Sequence, residues 1–147
     1  MYKHILVATD GSSLSKLATG KAIELAGELG AQLTIVNVVP KIMNNMFDGS
    51  FSIPAKQKIE LMGKLTDAAQ SIVDKVQKEA EKAGVYAKTL VVKSNVVSEA
   101  IIQTATKKNV DLIVMASHGR NGINRLLLGS ETLQVLTHSG IAVLVLR

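Results

Sequence analysis

The residues of this chain best suited to chemistry stand in the run Met115 to Thr132, MASHGRNGINRLLLGSET, and in the shorter run Thr9 to Ser13, TDGSS. In the longer run, small residues at Ala116, Ser117 and Gly119 would let backbone N–H groups approach a ligand closely. Gly119 and Gly122 also permit positive φ, the geometry of an anion-binding nest. Leu126, Leu127 and Leu128 are expected to anchor the far side of the loop in the core. Gly129 and Ser130 then open a predicted helix, whose free N–H groups and dipole favour an anion by about 0.3 to 2 kcal/mol per charge. The chemistry this order suits is the holding of a phosphate. The same residues also fit a plain helix start, with Ser130 as the N-cap and the glycines as turn residues. Glu131 favours that alternative, because a carboxylate in the first turn suits the dipole but would repel a nearby phosphate.

Such loops need elements to position them, and the hydropathy pattern supplies these. Lys3 to Thr9, Gln32 to Val38, Tyr86 to Val92, Val110 to Met115 and Ala142 to Leu146 read as five strands. Leu14, Leu17, Ala18, Ala22, Leu25 and Leu29 recur at helical steps, with Gly30 as a stop. A longer helix carries Ile59 through Ala83 and ends at Gly84. Shorter helices are expected from Val97 to Lys107 and from Ser130 to His138. Strands alternating with helices imply a parallel sheet, because a parallel crossover is long and usually helical. The run Leu112-Ile113-Val114-Met115, apolar without alternation, fits a strand buried on both faces. The expected fold is therefore an α/β, open, doubly wound sheet of five parallel strands with helices on both faces. Ligands of such sheets sit beyond the carboxyl ends of the strands, where strand order reverses. That rule selects the loops after the first and fourth strands.

Composition narrows the classes of function. The chain has 147 residues, 47% of them hydrophobic, a size that buries one substantial core. It has no cysteine, which excludes a disulfide framework and thiolate metal sites and suits a reducing compartment. The longest uninterrupted apolar run is Ile141 to Leu146, so neither a signal-peptide core nor a membrane span is expected, and cytoplasm is the default. A net charge of +5 raises nucleic acid as a partner. Between Lys56 and Lys82, however, the lysines alternate with carboxylates at helical spacing, the pattern of a solvated face. With two Phe, two Tyr and no Trp for base stacking, nucleic-acid binding ranks below that reading.

From YKHILVATDGS at its start to IAVLVLR at its end, the chain resembles the universal stress protein family. The ATP-binding branch of that family carries glycine, two residues, glycine, nine residues, then glycine with serine or threonine. Here the frame is Ala116, Ser117, His118, Gly119, then Arg120 to Leu128, then Gly129 and Ser130. All but the first position match. The resemblance implies strand order 3-2-1-4-5 and an ATP site, with magnesium as its metal partner. Ala8, Thr9 and Asp10 would border it, Asp10 contacting the ribose or a metal-bound phosphate. Val38 and Met115 would line the adenine pocket. His118, Gly119, Arg120, Gly129, Ser130, Glu131 and Thr132 would surround the phosphates. Asp10 in Asp-Gly-Ser also reads as an Asx-turn residue, and Val38 and Met115 as plain core. Two positions depart from the family pattern. Ala116 replaces the first glycine, which costs little in ordinary β conformation. Ser94-Asn95-Val96-Val97 replaces the usual Gly-x-Pro turn after the third strand.

Other chemistries find less support. No G-x-x-x-x-G-K-[ST] motif occurs, since Ser15 stands where Gly20-Lys21 would need a glycine. Asp10-Gly11-Ser12-Ser13 is only a fragment of the Ser-Gly-Gly-x-Asp-Ser motif of ATP pyrophosphatases. His118 with Ser117, Ser12 and Ser13 suggests a nucleophile and base, but no carboxylate is placed by sequence to orient the imidazole. His4, His118 and His138 are too scattered to argue for zinc. Arg120 and Arg125 could neutralise a γ-phosphate, yet phosphoryl transfer also needs a positioned water or acceptor. Slow or undetectable ATP hydrolysis is expected.

Two segments remain. Pro40 to Lys56 is the least regular, and its Met43, Met46, Phe47 and Phe51 fit either a cover over the adenine, a partner surface or a loosely packed insertion. The final strand, Ile141 to Leu146, would be an aggregation hazard as a bare edge, so pairing with a second copy is expected, as the family's homodimers also imply. The overall expectation is a cytoplasmic, ATP-binding homodimer acting in stress adaptation. The alternatives are an interaction dimer of the same family without a nucleotide and, in another class, an adenylating or ATP-hydrolysing enzyme.

Overall fold

Each strand-to-strand step in this chain crosses over through a helix, which is why neighbouring strands run parallel. The computed structural model describes residues 1–42, 53–119 and 127–147. The strands β1 (His4–Ala8), β2 (Gln32–Val39), β3 (Ala87–Lys93), β4 (Leu112–Ala116) and β5 (Ala142–Leu146) form one parallel sheet in the order β3-β2-β1-β4-β5. The helices α1 (Ser13–Leu29), α2 (Ala55–Lys82), α3 (Val97–Lys107) and α4 (Ser130–His138) make the connections. The five strands, the four helices and the strand order agree with expectation. The residues from 43 to 52 and from 120 to 126, and with them the expectations for Met43, Met46, Phe47, Phe51, Arg120, Gly122, Arg125 and Leu126, lie outside the described residues.

Side-chain alternation on the strands divides the core in two. Ile5 and Val7 face α1 and α2 together with Leu33, Ile35, Leu112 and Val114, where Ala18, Ala22, Val73 and Ala80 meet them. Leu6 points the other way, with Val36, Ile113 and Met115, towards Ile101 and Ala105 of α3 and Val135 of α4. Ile5, Leu6, Val7, Ile113 and Val114 have no exposed surface, and burying such side chains contributes about 1.5–3 kcal/mol each. Asp111 fastens the amino end of the sheet, accepting from the backbone N–H of Lys3 at 2.8 Å and of His4 at 3.1 Å.

Several boundaries are set by tertiary contacts. The β1 ladder ends at Ala8 opposite Val36, and Thr9 N–H adds one bond to the Val36 carbonyl at 2.9 Å. The β4 ladder with β5 continues to Ala116 opposite Leu146. Ala116 therefore sits in ordinary strand geometry, and its methyl carries no conformational penalty. Helix α2 begins at Ala55, four residues before the first periodic apolar position and inside the stretch expected to be irregular, with Pro54 as its N-cap. A proline before the first turn suits that start, since its fixed φ suits the approach and no side-chain bond is made there.

Candidate functional site

The order in which strands are added reverses between β1 and β4, and a cavity of about 420 Å³ opens above their carboxyl ends, a volume typical of small-ligand sites. Of the residues singled out in the sequence, it brings together Ala8, Thr9, Asp10, Val38, Met115, Ala116, His118, Gly119, Gly129, Ser130, Glu131 and Thr132. Arg120 lies outside the described residues. The cavity is also lined by Ser15, Val36, Asn37, Val97 and Ile101, which the sequence alone did not mark. Val97 and Ile101 stand one turn apart on the apolar stripe of α3. Nothing in the pattern separates a residue that floors a cavity from one that fills the core.

The first loop is held by its own short side chains. Asp10 Oδ1 accepts from Ser12 N–H at 2.9 Å, closing an Asx turn. Ser12 is the N-cap of α1, its Oγ accepting from Ser15 N–H at 3.2 Å. Ser15, buried, donates its hydroxyl to the Ser12 carbonyl at 2.9 Å, so Thr9 Oγ1, 3.0 Å away, donates to Ser15 Oγ and accepts from Gly11 N–H at 3.2 Å. Among the described residues of the two loops, Gly11 is left-handed, with φ of 79°, a role the sequence did not assign to it.

The second loop corrects several expectations. Gly119 does not have the positive φ expected of it. Space is close there instead: a Cβ would come within 2.9 Å of Asp10 Oδ2, so the carboxylate would have to shift to admit one. Gly129 likewise has ordinary angles, φ −60° and ψ 152°, and a Cβ on it would meet the Ser117 carbonyl at 3.1 Å. Leu127 does not anchor the loop in the core; it is 67% exposed, and Leu128 is only partly buried. Ser130 is not the N-cap of α4. Gly129 holds that position, with no side-chain cap, and Ser130 is the first helical residue.

This leaves the opening turn of α4 at the cavity with no side-chain cap from its N-cap residue, Gly129, among the described residues, a helix start of the kind that can receive an anion. Glu131, whose carboxylate would oppose an anion, is engaged elsewhere: its Oε2 accepts from Ser98 N–H of α3 at 2.6 Å. One helix start is thus capped by a residue of the other. Thr132 spends its hydroxyl on the carbonyls of Ala116 and Ser117, at 2.9 and 3.2 Å, and so braces the loop. His118 Nδ1 pairs with Ser117 Oγ at 2.8 Å, while its Nε2 is buried and lacks a partner among the described residues.

At the apolar end, β1 stops before β2 does. Val36 turns its carbonyl towards β1, where Thr9 takes it, so by alternation the backbone N–H and C=O of Val38 face the same gap, beyond the last rung. Val38 and Met115 both line the cavity there. The altered turn after β3 is closed by Ser94 Oγ, which accepts from Val96 N–H at 3.1 Å, and by Asn95 Oδ1, which accepts from Lys41 N–H at 2.8 Å. Asn95 keeps negative φ. Among the described residues no group of three or more His, Asp or Glu could hold a metal by itself, and no helix is long and apolar enough to cross a membrane.

An open parallel sheet of this strand order, with helices on both faces and a cavity at its switch point, defines an open doubly wound α/β protein. The chain belongs to the universal stress protein family, whose family model matches residues 1–147. It is 36% identical to the universal stress protein MJ0531 of Methanocaldococcus jannaschii, over 100% of this chain and 83% of that protein. It is 30% identical to the universal stress protein YxiE of Bacillus subtilis, each covered in full. Among solved structures, hypothetical protein MJ0577 superposes with a TM-score of 0.84 at 29% identity, over 99% of this chain and 96% of that one.

Proposed function

We propose that residues 1–147 act as a single nucleotide-binding domain that holds ATP with magnesium, and that occupancy is a regulatory state in stress adaptation. The observation that carries this reading is the uncapped start of α4 facing the cavity while Glu131 is turned to Ser98. The N–H groups of the first turn of α4 are the donors for the phosphates, Gly119 and Gly129 keep the space around them clear of side chains, and His118 Nε2 is an additional donor or acceptor without a partner among the described residues. The Val38 backbone offers an acceptor and a donor to the adenine edge, over the side chain of Met115. The fold is known to hold such ligands: a universal stress protein 24% identical to this chain was solved in complex with cAMP, and one from Archaeoglobus fulgidus, 20% identical, with dAMP. Those likenesses speak to the fold alone.

Magnesium fits the residues present. Asp10 brings a hard carboxylate oxygen to the wall beside Gly119, and magnesium is commonly held by one or two carboxylates together with ligand phosphates. The bound ion would offset phosphate charge; Asp10 would orient it and the ribose side of the ligand. Among the described residues none is placed as a general base with an orienting carboxylate, and the reading includes slow or absent hydrolysis. A turnover above about one per second would refute that part.

The same reading makes the protein a cytoplasmic homodimer through Ile141 to Leu146. In support, β5 is an edge strand whose Val143, Leu144, Val145 and Leu146 are only partly buried, and the adjoining α4 exposes Leu133 at 50% and Leu136 at 40%. The test of nucleotide binding is the ultraviolet spectrum of freshly purified protein, followed by chromatography of what denaturation releases. With two Tyr and no Trp the chain absorbs weakly, so a retained adenine dominates the spectrum. Release of ATP, or saturable binding on adding ATP and magnesium, supports the proposal. A clean spectrum with no binding on addition leaves the interaction dimer, and release of phosphate or pyrophosphate at enzymatic rates leaves the enzyme.

A further inference from the structure

Helix α3 is a partition. Its Val97 and Ile101 line the cavity at the switch point, while its opposite flank borders a second cavity of about 440 Å³ against the edge strand β3. The floor of that second cavity is apolar, with Leu90 and Val92 of β3 and Ala100 of α3. Its rim is basic. Lys93 and Lys41 stand where β3 ends, and Lys107 and Lys108 stand where α3 ends. Glu99 is the single carboxylate of the lining, and it accepts from Gln103 Nε2 at 3.0 Å. None of the four lysines makes an ion pair among the described residues. A chain of net charge +5 thus directs four lysines and one carboxylate to one concave surface, whereas along α2 its lysines are interleaved with acidic residues. Lys107 and Lys108 complement the carboxyl end of the α3 dipole. Lys41 and Lys93 come from other segments, so the helix dipole does not account for them. Asn95 Oδ1 fixes the backbone of Lys41 at the rim through the 2.8 Å bond to its N–H.

We infer that this second cavity is a binding site for a small ligand with two anionic ends, phosphate or carboxylate, joined by an apolar middle. Lys107 and Lys108 stand at the carboxyl end of α3, whereas Lys93 ends β3 and Lys41 is bonded to Asn95 in the turn that leads into the amino end of α3, a helix whose stretch from Glu99 to Lys108 rises about 14 Å at 1.5 Å per residue. Leu90, Val92 and Ala100 line the same cavity as these two lysine pairs. A compact anion reaches one pair only; an elongated one reaches both and covers the floor. Lysine suits such ligands as a point charge on a flexible stem, and a concave wall of low dielectric concentrates its field. The site stands apart from the first cavity and does not depend on the nucleotide reading.

The test is a titration of the full chain, followed by amide NMR, with octamethylene bisphosphonate as the long probe and methylene bisphosphonate as the compact one. The long probe is expected to shift Ser94, Gln103, Lys107 and Lys108 saturably and to bind more tightly than the compact one. The double variant Lys93→Glu/Lys107→Glu, both exposed positions, should weaken it by at least about tenfold, and Gly129→Val should leave it unchanged. Dicarboxylates of the same length identify whether phosphate or carboxylate is preferred. Shifts confined to Gly119, Gly129 and Ser130, equal affinity for the two bisphosphonates, or an unaltered double variant with a native spectrum would each overturn the inference.

Discussion

Ser117 donates its backbone N–H to the carbonyl of Leu146 at 2.7 Å, joining the end of β4 to the last residue of β5. Its own carbonyl accepts from Gly129 N–H at 2.7 Å and from the Thr132 hydroxyl at 3.2 Å. One buried residue therefore ties the start of α4, which faces the cavity, to the strand proposed as the dimer edge. Thr132→Val keeps the shape of the side chain and removes its hydroxyl, leaving the Ala116 carbonyl without that donor. A loss of about 1–3 kcal/mol is expected in denaturant unfolding, with weaker ATP binding. An unchanged midpoint would show that the hydroxyl does not brace the loop.

Gly129 separates space from strain. Its φ and ψ lie where a β-branched residue is comfortable, so Gly129→Val is not opposed by the backbone. The added carbon atoms instead press on the Ser117 carbonyl and enter the cavity rim. Calorimetric ATP affinity should fall at least about tenfold, with the far-ultraviolet circular dichroism preserved. Wild-type affinity would remove the start of α4 from the site.

Gly119 and Asp10 face each other so closely that Gly119→Ala must displace the carboxylate. The expected result is a loss of affinity that is larger with magnesium than with the metal chelated. Asp10→Asn should show the same asymmetry. If both variants weaken ATP equally with and without magnesium, Asp10 acts on the ribose or the loop and not through the metal.

The dimer prediction can be made without touching the core. Leu133 is half exposed on α4 and belongs to neither core cluster of the described residues. Sedimentation should show a dimer for the native chain and a larger monomer fraction for the variant, with thermal stability little changed at low protein concentration. Val145→Asp, in the strand itself, should give the same dissociation at a greater cost in stability. A native chain that sediments as a monomer would sink the proposal outright.

Much of this protein was legible in its sequence, because periodicity is a local property. Runs such as Leu112 to Ala116 and the three-and-four spacing from Leu14 to Leu29 report the period of their own backbone, and alternation of the two types forces the parallel sheet. The rule that ligands sit at the carboxyl ends selected the loops that carry Asp10, Gly119 and Ser130, the family resemblance added Val38, and the fold brings all four to one cavity. What the chain could not reveal are relations between segments distant in sequence. Glycine at Gly119 announces freedom of φ and Gly129 a helix start, yet both stand close to other groups, Asp10 and the Ser117 carbonyl, which only the folded backbone brings near. Glu131 argued against a phosphate as a neighbour in sequence, and its contact with Ser98, 33 positions away, reverses that argument. The four lysines of the second cavity come from β3, from α3 and from the segment after β2, and only the packing of α3 beside the sheet edge gathers them. Sequence alone determined which elements form and in what order they alternate, since those follow from short-range sterics and burial. Which polar groups meet was decided by the tertiary structure, because a hydrogen bond or a charge cluster exists only where the fold has set both partners within a few ångströms.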